Sequence, residues 1–206
     1  HRFGDIAGSN GGVQTMFGFD NVSDMRIALE YGVTKNLMLG FGRCKGTGFP
    51  YRSLLDGFVK YRFLEQVKDS MPVSLALIGG ASFTYQKASP DMSNVSHFPD
   101  VTHRFAYFTQ LNLARRFGKF LSVSLMPTLV HRNYVADSDM NTLFTLGGAM
   151  RLRLSKKFFF LTEYYHCFNG SSFRQQDYQN SLGVALEWST FGHNFTINFT
   201  NSKGLG

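Results

Sequence analysis

Between residues 104 and 130 the side chains alternate in character with a period of two. Phe105, Tyr107, Thr109, Leu111 and Leu113 make one face, and Arg104, Ala106, Phe108, Gln110, Asn112 and Ala114 the other. A basic turn over 115–119 interrupts the pattern. It resumes with Leu121, Val123, Leu125, Pro127 and Leu129 against Ser122, Ser124, Met126, Thr128 and Val130. Successive side chains of a strand point to opposite faces, so this pattern predicts a β-hairpin with one apolar and one polar face. Each strand has roughly the 9–11 residues that a tilted strand needs to cross a bilayer.

The same alternation predicts strands over 25–34, 37–44, 54–64, 73–85, 143–154, 158–167, 181–188 and 195–200. In the all-apolar run Phe158-Phe159-Phe160-Leu161, Glu163 sets the phase: with Glu163 inward, Phe158, Phe160, Thr162 and Tyr164 point outward. Residues 1–24 are Gly-rich and irregular, with a short helical turn near Val13 to Phe17. Short connections (35–36, 65–72, 115–119, 155–157, 189–194) alternate with longer ones (45–52, 87–101, 132–141, 168–177). Outer-membrane barrels show this asymmetry, with short periplasmic turns and longer external loops. Outward aromatics gather at both strand ends: Tyr31, Tyr61, Phe63, Phe158 and Trp188 at the short-turn end, Phe83, Tyr85, Phe105, Tyr107 and Phe199 at the other. They are placed as two interfacial girdles would be.

The expected architecture is all-β, an antiparallel up-and-down transmembrane β-barrel forming a single domain over 1–206. About ten strands are visible. An even barrel with both ends periplasmic needs one strand before His1 and one after Gly206, about twelve in the complete protein.

Composition adds exclusions. Mean hydropathy is −0.14, and the longest uncharged run, Ser70 to Gln86, holds Pro72 and Gly79-Gly80. It falls short of the ~18 apolar residues of a membrane helix. Aromatics reach 16%, with 22 Phe, which suits a barrel with apolar side chains outside. The formal charge is +7, but the basic residues are spread over turns and alternate strand positions, so nucleic acid is not an expected partner. Cys44 and Cys167 lie in no CxxC pair, and the six His are scattered without a ligand spacing, so neither metal nor cofactor is expected.

Several stretches resemble a family of bacterial outer-membrane β-barrel proteins of unknown function. They are His1-Arg2-Phe3-Gly4-Asp5, Leu29-Glu30-Tyr31-Gly32, Gly40-Phe41-Gly42-Arg43, Asp56-Gly57-Phe58-Val59-Lys60-Tyr61 and Thr200-Asn201-Ser202-Lys203-Gly204. The resemblance runs in order along nearly the whole chain. It implies a fold and a bacterial outer-membrane location, with a strand before the first stretch and one after the last, but no reaction.

The candidate lumen-facing residues are Arg26, Glu30, Arg43, Asp56, Lys60, Arg62, Arg104, Arg132, Arg151, Arg153, Glu163 and Glu187. Eight are basic and four acidic. A charge on the lipid face near the midplane costs ~2–4 kcal/mol, so the lumen is the favourable place for it. One reading is a porin-like channel or binding barrel for small, possibly anionic, solutes. The alternative is a closed anchor barrel in which these groups pair across the lumen, Asp56 with Lys60 for instance, and which serves as a partner platform. A third is a lipolytic enzyme using His131 or His166 with Ser171 or Ser172, although no nucleophile–base spacing singles itself out and no catalytic residue is assigned. Glycines within strands (Gly32, Gly40, Gly42, Gly79, Gly80, Gly147, Gly148, Gly183) read as sites of tight curvature rather than room for a ligand. The expected partners are outer-membrane lipid and a small solute. The basic turns Arg115-Arg116, Lys119 and Lys156-Lys157 offer a surface for a periplasmic partner or anionic headgroups.

Overall fold

A computed structural model describes residues 3–8, 11–20, 24–45, 53–170 and 179–202. Residues 1–2, 9–10, 21–23, 46–52, 171–178 (with Ser171 and Ser172) and 203–206 lie outside the described residues. The strands are β1 (Met25–Gly32), β2 (Leu37–Lys45), β3 (Ser53–Leu64), β4 (Ser74–Thr84), β5 (Phe105–Phe117), β6 (Leu121–Arg132), β7 (Thr142–Arg153), β8 (Phe158–Cys167), β9 (Ser181–Ser189) and β10 (Asn194–Thr200). All ten pair antiparallel in chain order in one sheet. Among the described residues β1 and β10 each have a neighbour on one side only, so the sheet is open between them. A 3-10 turn at Val13–Thr15 stands where the expected helical turn does, and another, Val101–Arg104, ends the loop before β5.

The register carries the alternation across the whole sheet. Arg26 opposes Cys44, Gly42 opposes Asp56, and Asp56 opposes Ser82. On the other face Leu29 opposes Phe41, Phe41 opposes Gly57, and Gly57 opposes Ala81. Two irregularities interrupt the ladders. β3 slips by one residue between Arg62 and Leu64. Between β5 and β6 the pairing skips from Gln110–Thr128 to Leu113–Leu125, next to Pro127, which has no N–H to give.

The polar face is concave. Gln110 on β5 donates to the Tyr165 hydroxyl on β8 at 3.3 Å, and that hydroxyl reaches Met126 Sδ on β6 at 3.5 Å. In a flat sheet strands three places apart would be about 14 Å apart. Only a sheet curled toward this face brings the two side chains together.

Burial is inverted relative to a water-soluble sandwich. The strand residues with the least accessible surface are Cys44, Leu54, Ala76, Thr84, Met126, Leu143 and Ala185, and the register puts all of them on the concave face. The large apolar side chains stand on the convex face with no protein over them: Leu29 is 78% exposed, and Ile27, Phe41, Leu111, Leu125, Leu186, Ile197 and Phe199 are exposed as well. A contiguous apolar surface of this extent is not stable in water. Aromatic contacts band its two ends. Trp188 lies between Phe158 (6.4 Å) and Phe195 (5.7 Å) at the short-turn end, and Phe105 lies between Phe83 (5.0 Å) and Tyr107 (6.2 Å) at the other.

Candidate functional site

The concave face is built from small residues opposite large ones. Gly40 opposes Phe58, Gly80 opposes Phe108, and Gly147 opposes Tyr165. A Cβ on Gly80 would meet Phe108 Cε1 at 2.5 Å and the carbonyl oxygen of Gly57 at 2.6 Å; one on Gly147 would meet Tyr165 Cδ1 at 2.8 Å. Each ring lies over the glycine of the next strand, where a side chain would exclude it. These glycines make room for neighbouring aromatics and let the sheet curl.

Gly42 serves a charged pair in the same way. Arg26 on β1 reaches across β2 to Asp56 on β3, Nη2 to Oδ2, at 2.5 Å. A Cβ at Gly42 would stand 2.8 Å from that guanidinium nitrogen and 2.7 Å from Asp56 Oδ1. The gap left by the glycine is the path of the ion pair. Arg151 on β7 likewise crosses β8 to Glu187 on β9 at 2.5 Å, with its guanidinium carbon 3.5 Å from the centre of the Phe159 ring. Arg132 pairs with Asp139 at 2.8 Å and Arg62 with Glu65 at 3.0 Å, both at strand ends. Arg–carboxylate pairs of this kind fix geometry as well as charge.

Ten of the twelve candidates stand on strand positions of the concave face: Arg26, Glu30, Asp56, Lys60, Arg62, Arg132, Arg151, Arg153, Glu163 and Glu187. The Asp56 carboxylate pairs with Arg26 rather than with Lys60. Two candidates stand elsewhere. Arg43 opposes Ile27 and Leu55 on the convex face, where Nε donates to the Tyr85 hydroxyl at 3.0 Å. It lies near the loop end of β2, where a long cationic side chain can reach the polar boundary of an apolar belt. Arg104 belongs to the 3-10 turn before β5; Nη1 donates to the carbonyls of Gln86 (2.6 Å) and Thr84 (3.2 Å), and the guanidinium lies over Phe98 at 4.8 Å. It fastens the loop 85–104 to the sheet rim.

One further residue enters the face, from the stretch 115–119 that the pattern reads as a turn. β5 runs on to Phe117, so Arg116 opposes Ser122, which in turn opposes Arg151. The signal was available: the phase of Gln110, Asn112 and Ala114 continues to Arg116. The basic run Arg115-Arg116 masked it by resembling a turn.

A polar pocket of about 410 Å³ lies at this short-turn end, lined by Arg116, Lys119, Ser122, Arg151, Arg153 and Phe159 among others. A separate depression of about 680 Å³ lies over the glycines of β3 and β4, bordered by Leu29, Tyr31, Leu39, Phe41 and Val59 of the convex face. It is almost wholly apolar and offers no group for chemistry.

The two histidines considered for lipolysis have polar partners of other kinds. His131 Nδ1 lies 2.8 Å from Thr142 Oγ1, and His166 Nδ1 lies 3.1 Å from Asn180 Nδ2. Among the described residues no three His, Cys, Asp or Glu side chains converge as metal ligands would.

No curated protein and no solved structure matches this chain. A family model described as a membrane bound beta barrel domain (DUF5777) matches residues 1–206. The convex belt of apolar side chains, the curled concave polar face and the up-and-down order of ten strands are what that description requires. The chain belongs to this family of membrane-bound β-barrel domains.

Proposed function

We propose that this chain forms part of a bacterial outer-membrane barrel, in a Gram-negative envelope, whose concave face binds or passes small anionic solutes. The observation that carries the reading is the charge of that face. With Arg116 added and Arg43 and Arg104 removed it holds seven basic groups against four acidic ones. Cationic side chains along a polar lumen favour anions electrostatically. The asymmetry of connection lengths supports the outer-membrane assignment, with the short turns on the periplasmic side. Single-channel recording of the complete protein in planar bilayers tests the reading. The expected result is discrete conductance with anions preferred over cations. Silence, or a preference for cations, would count against it.

A closed anchor barrel is the second reading, favoured by the filling of the concave face. Phe58, Phe108, Phe159 and Tyr165 project into it, and the Arg26–Asp56 and Arg151–Glu187 pairs bridge across it. Such a barrel would be silent in the same recording and would retain a protein partner through purification.

A further inference from the structure

We infer that the short-turn end of the concave face contains an oxyanion-binding site, formed by Arg116, Lys119, Arg151 and Arg153, that takes a phosphate-bearing ligand. The inference rests on the anionic-solute reading above and names the chemistry of one position within it. These four cations line a single pocket of about 410 Å³, a volume in the range of small-molecule sites. One carboxylate is paired with the group: Glu187 holds Arg151. Arg153 Nε donates to the backbone oxygen of Ser155 at 3.0 Å, a contact that leaves its charge uncompensated. Among the described residues Arg116 is hydrogen-bonded through its backbone alone, donating to Gln66 Oε1 at 2.8 Å and accepting from Gln66 Nε2 at 2.9 Å. Its guanidinium is left to the pocket. Four like charges gathered around a single paired carboxylate raise the free energy of the empty site and favour an anion within it.

The arrangement is also pre-organised. Arg151 is held between Glu187 and the Phe159 ring, 3.5 Å beneath its guanidinium carbon, so the planar fork is fixed before a ligand arrives. Planar guanidinium groups match the oxygens of phosphate with paired hydrogen bonds, and Lys119 adds a point charge. The Ser122 hydroxyl supplies a neutral donor, and the rings of Phe120 and Phe159 give an apolar wall for the organic part of a ligand.

Phosphate could arrive as a soluble solute or on a lipid headgroup, and one experiment separates these sources. The complete protein in phosphatidylcholine nanodiscs is titrated with inorganic pyrophosphate by calorimetry. Saturable binding that weakens with added NaCl is expected. Arg116→Gln with Lys119→Gln should weaken it at least tenfold, since both charge-assisted contacts to the ligand are lost. Lys156→Gln with Lys157→Gln removes the same charge from the neighbouring turn and should leave affinity within about twofold, as expected for screened surface charges. Repeating the titration with phosphatidylglycerol in the disc identifies the source: competition points to a headgroup, undiminished binding to a soluble ligand. Absence of saturable binding, or equal weakening by the two double variants, overturns the site. A barrel that conducts anions yet binds no pyrophosphate refutes this inference alone. One that binds pyrophosphate without conducting refutes the channel alone.

Discussion

At the scale of single residues, the concave face depends on what glycine lacks. Gly80 and Gly148 separate two roles that sequence cannot distinguish. A methyl on Gly80 would collide with the Phe108 ring and with a backbone carbonyl, whereas one on Gly148, on the convex face, meets nothing within 4 Å. Gly80→Ala should therefore destabilise by ~1–3 kcal/mol through overpacking. Gly148→Ala should be neutral or stabilising by ~0.5–1 kcal/mol, since a strand glycine carries an entropic cost. Urea unfolding in detergent micelles, followed by Trp188 fluorescence, measures both. Equal effects would show that the glycine–aromatic pairs do not shape the sheet. The charged residues teach a related lesson. Parity along a strand fixes the face of Arg26, Asp56 and Glu187, but not which of them meet. Arg26 reaches Asp56 across an intervening strand because position 42 is glycine, a relation legible only once the register is known. At Arg43 the general rule that charge turns inward conflicts with the alternation of Leu37, Leu39 and Phe41, and the alternation wins. Near a strand end that rule is weakest, because water and headgroups are within reach of the side chain.

At the scale of elements, strands are legible in the sequence and their ends less evenly so. The period of two marks all ten strands, with bounds that agree to within three residues. The end of β5 moved furthest, because Gly118 at φ 58° allows a turn tight enough for Phe117 to pair with Leu121. The loop 87–101 carries no periodic signal, yet it is built by side chains. Asp91 accepts from the Ser93 hydroxyl and N–H, and Asp100 accepts from the Thr102 N–H and hydroxyl. Phe98 is buried, and Asn133 Nδ2 of the neighbouring loop donates to the Thr102 carbonyl at 2.8 Å. Hydrogen bonds from Ser93 hold the Asp91 carboxyl below the usual carboxylate range, and those from Thr102 do the same for Asp100. A depressed folded-state pKa means the contribution is complete above the ordinary carboxylate pKa and is lost as pH falls through the depressed values. The loop should thus keep its hydrogen-exchange protection at pH 5 and lose part of it below about pH 4. In Asp91→Asn with Asp100→Asn the pH dependence should vanish. A loop equally protected at both pH values in the native chain would contradict this. For β6 the two faces predict opposite tolerance. Leu125→Arg places a charge in the apolar belt and should cost ~2–4 kcal/mol, whereas Ser124→Arg on the concave face should cost much less. Folding into liposomes, read by heat-modifiable mobility on gels, ranks the two. The reverse order would mean that the faces have been exchanged.

At the scale of the whole molecule, one relation connects fold, location and chemistry: the sheet curls with its polar side inward and leaves its apolar side to lipid. Composition hinted at this, through many aromatics at a mean hydropathy near zero. Loop lengths and girdles strengthened it, and the inverted burial gives it physical form. The basic pocket could not be foreseen, since Arg116, Arg151 and Arg153 come from β5 and β7 and meet only through the register. The most direct test is a single-cysteine scan from Tyr107 to Leu113 in the complete protein, with Cys44 and Cys167 replaced, after reconstitution into lipid vesicles. A nitroxide at each position reports accessibility to oxygen, which concentrates in lipid, and to a polar nickel complex, which does not. The account predicts oxygen maxima at 107, 109, 111 and 113, and nickel or buried-site behaviour at 108, 110 and 112. A profile with the opposite phase, or with no period of two, would contradict it.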